Sequence, residues 1–177
     1  MTTKILLTSF NTWMPHHKSN SSDDLLAQIA KIKSLPDSLT PYSLIFLRKL
    51  PVDFQLAPLQ VIAKIIELQP DIIICCGMAE SRSKLSLESC AMFEEEILRT
   101  NVKIEELLTN LTITEISHDA GKFVCESLYY SVLNYIYSKR LNSKCIFVHV
   151  PILTTENFQP IITDFLSILS SILIARD

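Results

Sequence analysis

Asp71-Ile72-Ile73-Ile74-Cys75-Cys76, set between Pro70 and Gly77, is the stretch whose reading decides the fold. It is apolar at every position after the first, as a central parallel strand covered by helices on both faces has to be. Working outward, Lys4 to Ser9 and Ser43 to Leu47 read as earlier apolar strands, the second stopped by Pro51. Cys145 to Val150 is a later one, closed by Pro151. Between them lie helical spacings. Asp23 to Lys33 carries Leu25, Leu26, Ile29 and Ile32 behind possible caps at Ser21 and Ser22, and Leu56 to Leu68 carries Leu59, Ile62, Ile65 and Ile66 on one side.

From Ser83 to Ser89 the period changes to two, with Leu85 and Leu87 on one face and Lys84, Ser86 and Glu88 on the other. A helix near Val102 to Leu108 and a strand at Thr112 to Ile116 follow, then the turn Ser117-His118-Asp119-Ala120-Gly121. Val124, Cys125, Leu128, Tyr129, Val132, Leu133 and Ile136 then recur at helical spacing, and Ile161 to Ile174 makes a final apolar-faced helix. Alternating strands and helices argue for an α/β fold with a mixed, mainly parallel sheet between helices. Ligands in such sheets bind beyond the carboxyl ends of the strands, where Phe10, Gly77 and His149 stand.

The 177 residues are enough for one substantial core, and no linker or repeat marks a boundary, so residues 1–177 are read as one domain. Sixteen basic residues against nineteen acidic ones give a formal charge of -3, with no basic stripe to follow a phosphate backbone, which excludes nucleic acid as an expected partner. The amino-terminal apolar run is too short to span a bilayer and lacks the layout of a secretory signal, so a cytoplasmic protein without a membrane partner is expected. Five cysteines, an odd number set within apolar runs, read as reduced thiols. A mean hydropathy of +0.28 fits a doubly covered sheet and some apolar surface used in self-association.

Three side chains could carry chemistry. Cys125 falls in the first turns of its helix, where unpaired amides and the helix dipole favour a thiolate; the competing reading is a small core residue. His149 is the one histidine inside an apolar strand, near its end, where it could accept a thiol proton or simply be a hydrogen-bonded structural group. Glu88 is the one carboxylate in an alternating strand, either the group that orients a base or an exposed edge charge. The neighbours His16-His17 and Cys75-Cys76 lack zinc-ligand spacing, and no metal or cofactor is expected. Glu94-Glu95-Glu96 reads as a solvated face, and the absence of a phosphate-cradling glycine loop weighs against nucleotide enzymes.

Several separated segments resemble the pyroglutamyl peptidase I (pyrrolidone-carboxylate peptidase) family. They are KILLTSFNTWMP with Asn20-Ser21-Ser22, LPVDF at 50–54, QPDIIICCGMAESRSKLSLESCA at 69–91, ISHDAGKFVCESLYY at 116–130 and FVHVP at 147–151. The resemblance implies a three-layer α/β/α sandwich of the phosphorylase/peptidyl hydrolase type. It also implies a thiol protease whose Cys125, His149 and Glu88 form a triad that removes an N-terminal pyroglutamyl residue from a peptide through an acyl-enzyme. Phe10, Trp13 and Met78 match pocket-lining positions, and a homo-oligomer is implied as well.

The chain departs from the family pattern in the first turn, where glycines are replaced by Ser9 and Met14. It also departs at Ser89, where the family has arginine, and at Glu126, where it has asparagine. The loop that covers the substrate has no visible match. These departures motivate the alternative of a catalytically silent homologue acting as a binding or assembly protein; a phosphorylase-like site is the weaker third reading.

Overall fold

The structure is a computed structural model and describes residues 2–32, 42–109 and 111–174. In chain order the elements begin β1 (Lys4–Phe10), α1 (Ser21–Lys31), β2 (Ser43–Leu50), α2 (Leu56–Leu68), β3 (Ile72–Met78), β4 (Leu85–Glu88), β5 (Cys90–Phe93) and β6 (Glu96–Arg99). They continue with α3 (Ile104–Leu107), β7 (Thr114–Ser117), α4 (Val124–Lys139), β8 (Lys144–Val150) and α5 (Phe158–Ile174). Six strands form one sheet in the order β2-β1-β3-β8-β4-β7. Neighbours pair in parallel except β4, which runs antiparallel to β8, so the sheet is mixed and mostly parallel, as the alternating pattern implies.

Period-two alternation sorts the strand side chains into two cores. Ile5, Leu7, Ile72, Ile74, Cys76, Leu85, Leu87, Ile146 and Val148 pack with α1, α3 and α5. Leu6, Ile73, Cys75, Cys145 and Phe147 pack with α2 and α4. By the same alternation Gly77, His149, Ser86 and Glu88 face the second layer, the one that holds α4. The strand Asp71–Cys76 read from the sequence continues through Gly77 to Met78, so Gly77 lies inside a strand paired to His149 and does not end it.

Other boundaries shift for identifiable reasons. The cap of α1 is Asn20, whose Oδ1 accepts from the Ser22 amide at 3.0 Å, and Ser21 and Ser22 are the first helical residues. Lys33, the expected end of that helix, lies outside the described residues. On α2 the buried stripe is Ala57, Val61 and Ile65, whereas Leu59 and Ile66 are exposed. Apolar identity alone could not say which of two apolar faces meets the sheet. The stretch after Glu88 forms the hairpin β5–β6, with Glu94 at φ 53 in its turn and all three glutamates exposed. No helix among the described residues is long and apolar enough to cross a membrane.

The last helix is fastened to the sheet edge by one carboxylate. Asp164, buried on α5, accepts from the Thr112 amide at 3.0 Å, the Ile113 amide at 2.8 Å and Thr114 Oγ1 at 2.8 Å, pinning the approach to edge strand β7. Replacing it with alanine leaves these donors without their acceptor. We expect Asp164→Ala to lose about 2 kcal/mol, seen as a lower urea midpoint at unchanged slope.

Candidate active site

Strand register sets up the site. Antiparallel pairing places Ser86 opposite His149 and Glu88 opposite Phe147, so Glu88 and His149 are diagonal neighbours on one face. His149 Nδ1 and Glu88 Oε1 are 2.7 Å apart, with both side chains buried. Glu88 is therefore not the exposed edge charge that its sequence context allowed, because β4 is an interior strand. Arg82 Nη1 donates to the same carboxylate oxygen at 2.5 Å, and its Nη2 donates to the Asp119 carbonyl at 2.7 Å. Glu88 Oε2 has no hydrogen-bond partner among the described residues.

Arg82 was not among the residues singled out from the sequence. It supplies a cation to the buried glutamate from the loop before β4, whereas position 89, the family's arginine position, holds Ser89, bonded to His118 Nδ1 at 2.6 Å. A carboxylate inside an apolar strand requires a cation or donors nearby, and Arg82 and Lys84 were the basic residues within reach in sequence.

Cys125 is the second residue of α4. The N-cap residue, Phe123, makes no side-chain cap bond, so no side chain occupies the amides at this helix start. The turn before it needs Gly121, at φ +92, whose amide bonds Asp119 Oδ1 at 2.9 Å. The Cys125 sulfur sits over Gly77: a Cβ at position 77 would lie 2.6 Å from Sγ and 2.8 Å from Phe147 Cζ. Cys125 is partly accessible, while the other four cysteines are free and buried.

Cys125 and His149 line one cavity of about 280 Å³ beyond the ends of β1 and β3. No direct hydrogen bond joins them in this resting arrangement. Phe10 and Met78 form part of the wall, and Trp13 stands at the rim against Phe123, with ring centroids 4.7 Å apart. Val52, Val124 and Phe123 add apolar surface; Asn20, Glu80 and Ser81 add polar groups. All three pocket residues expected from the sequence reach this cavity. Phe123, Asn20 and Glu80 lie inside the segments that carry the resemblance but were given no pocket role, since periodicity does not distinguish them from loop and cap residues.

The electrostatics correct one expectation. The helix start was expected to lower the Cys125 thiol, but burial, with the Glu88 charge adding to it, pushes it up to about 12. Arg82 and the backbone amide of Cys125 pull the other way and are outweighed. Glu126 is also raised, chiefly by burial, and its Oε1 accepts from the Met92 amide at 2.9 Å, holding the β5–β6 hairpin on α4.

The family model for pyroglutamyl peptidase matches residues 100–168, a span that includes Cys125 and His149. The pyrrolidone-carboxylate peptidase of Thermoanaerobacter sp. (strain X514) is 26% identical over 179 residues, covering 86% of this chain and 84% of its own. That of Thermosipho melanesiensis is 29% identical, covering 84% and 82%. The chain is similar to these pyrrolidone-carboxylate peptidases over most of its length. The crystal structure of pyroglutamyl peptidase I from Bacillus amyloliquefaciens superposes with a TM-score of 0.82 at 19% identity, over 98% of this chain and 96% of that one, so the two share a fold. In this chain the cation beside the buried Glu88 comes from Arg82, and Ser89 follows the glutamate.

Gly77 tests the packing of the sulfur. Gly77→Ala should displace Cys125 and Phe147, costing about 1–3 kcal/mol of stability and slowing alkylation of Cys125 in the folded protein. Unchanged stability and labelling would mean that the sulfur does not rest on this glycine.

Proposed function

We propose that this chain is a cysteine peptidase that removes an N-terminal pyroglutamyl residue from peptides, with Cys125 as nucleophile, His149 as general base and acid, and Glu88 as the group that orients the imidazole. The observation that carries the reading is the Glu88–His149 bond behind a cavity lined by both His149 and Cys125. With Nδ1–H donated to the carboxylate, Nε2 keeps its lone pair and is free to take a proton. The cavity suits the ligand class: a flat, uncharged lactam needs apolar walls, here Phe10, Trp13 and Phe123, and a few polar contacts, here Asn20 and Ser81.

In this reading the Cys125 sulfur attacks the pyroglutamyl carbonyl carbon as its proton passes to His149 Nε2. Amides at the uncapped start of α4 meet the negative charge that develops on the carbonyl oxygen, an effect worth roughly 3 kcal/mol per donor in comparable sites. The tetrahedral species collapses, the C–N bond breaks, and Nε2 returns the proton to the leaving amine. Water, deprotonated by the same nitrogen, then attacks the thioester carbonyl, and the C–S bond breaks as Nε2 returns the proton to the Cys125 sulfur, releasing the pyroglutamyl acid. The steps use only this chain's side chains and amides.

A homo-oligomer and a cytoplasmic location belong to the same proposal. The first is supported by the exposed Leu56, Leu59 and Ile66 on α2, the second by five free thiols.

Turnover of a fluorogenic pyroglutamyl amide tests the reading. Wild-type protein should release the fluorophore and Cys125→Ala should not; equal background rates from both would leave a non-catalytic binding role. Glu88→Gln should lower kcat by roughly 100-fold or more, and Arg82→Met by a smaller factor with KM little changed, because each acts through His149.

The raised thiol gives a separate outcome. Alkylation by iodoacetamide should select Cys125 over Cys75, Cys76, Cys90 and Cys145, and its rate should climb with pH from about 7 to beyond 9 without a plateau. A plateau at neutral pH would mean a preformed thiolate and would overturn the neutral resting state.

A further inference from the structure

We infer that His16, His17 and Glu80 form a binding site for a divalent transition metal, zinc being the best match, at the rim of the Cys125 cavity. Along the chain the adjacent histidines lack a third partner. The fold supplies it from 63 residues away, because the loop after β1 lies against the loop after β3. His17 Nε2 stands 2.5 Å from Glu80 Oε1 and His16 Nε2 stands 3.4 Å from Glu80 Oε2. One ligand atom from each of the three residues falls within 4.8 Å of the others.

Two imidazoles and a carboxylate, with a position left open to water, are a donor set that zinc accepts readily. Bond lengths of about 2.0–2.2 Å at tetrahedral angles set donors about 3.4 Å apart, the present His16–Glu80 separation, so the His17–Glu80 contact would open by about 1 Å. The site is partly preformed. The His17 side chain is 5% exposed, the loop is closed by the His17 amide bonding the Met14 carbonyl at 3.0 Å, and the two rings lie edge to face with centroids 4.3 Å apart. His17 Nδ1 is buried without a hydrogen-bond partner among the described residues, so the ring's polar contact is at Nε2, the atom aimed at Glu80. Both histidines and Glu80 line a second cavity of about 220 Å³, where Asp24 adds a carboxylate and Lys18 an opposing cation.

Glu80 and Met78 are common to this cavity and to the one lined by Cys125. A bound ion would therefore tie the loop that carries Trp13 to the opposite rim. The site is separate from the proposed catalytic groups, and metal uptake stands or falls independently of peptidase activity.

The test is calorimetric titration of zinc chloride into chelator-treated Cys125→Ala protein, which removes the thiol as a competing ligand. One zinc per chain is expected. His17→Ala, and separately Glu80→Gln, in the same background should weaken binding about tenfold or more while circular dichroism shows both to be folded. No uptake by the parent protein, or an affinity unchanged by either substitution, would overturn the site.

Discussion

The bond between His149 Nδ1 and Glu88 Oε1 crosses two antiparallel strands, so its 2.7 Å length is set by backbone register and not by the conformation of a loop. A slip of one residue in β4 would turn Glu88 into the opposite core, among Ile146, Val148 and the helices α1 and α5. The alternation of Leu85 and Leu87 with Ser86 and Glu88 prevents that slip, because two leucines would have to leave an apolar layer at the same time. Burial that stabilises the sheet is thus also what fixes the orientation of the imidazole.

A fully buried carboxylate costs several kcal/mol unless paired, and among the described residues Glu88 has two partners on one oxygen and none on the other. Arg82 does more than neutralise it. By bonding the Asp119 carbonyl as well, the guanidinium joins the strand that carries Glu88 to the turn that starts α4, and so holds the Cys125 helix and Glu88 in one frame. Position 89 is freed by this arrangement for Ser89 to hold His118.

What was legible in the sequence followed from period and burial together. DIIICC, CIFVHV and the Cys125 helix each combine an apolar run with a recognisable boundary, and the structure places strands or a helix on all three. The Glu88 face was legible because alternation is strict there. The α2 face was not: that helix is apolar on more than one side, and only contact with the sheet selects Ala57, Val61 and Ile65. The β5–β6 hairpin was missed because its strands are four residues each and its turn is made by glutamates rather than glycine or asparagine. Arg82, Phe123 and Glu80 could not be found by period at all, since they act from loops and a cap position whose proximity is created by the fold.

In the proposed mechanism, a thiol pushed up by burial changes how the site has to work. Burial, with the nearby Glu88 charge adding to it, pushes the sulfur up to about 12, and Arg82 and the Cys125 amide pull the other way without reversing it. Its nucleophilicity must then be generated as the proton leaves, which makes the direction of the His149 lone pair the controlling variable. A more basic sulfur is also the stronger nucleophile once deprotonated, so the rate lost to a small thiolate fraction is partly returned in the attack. In the proposed mechanism, charge would move from sulfur to the carbonyl oxygen, toward the helix amides, while the new imidazolium would form against Glu88. The same glutamate that disfavours a free thiolate would, in that mechanism, favour the charge distribution of the transition state. A buried, register-locked carboxylate is suited to that role because it need not reorganise as the charge appears.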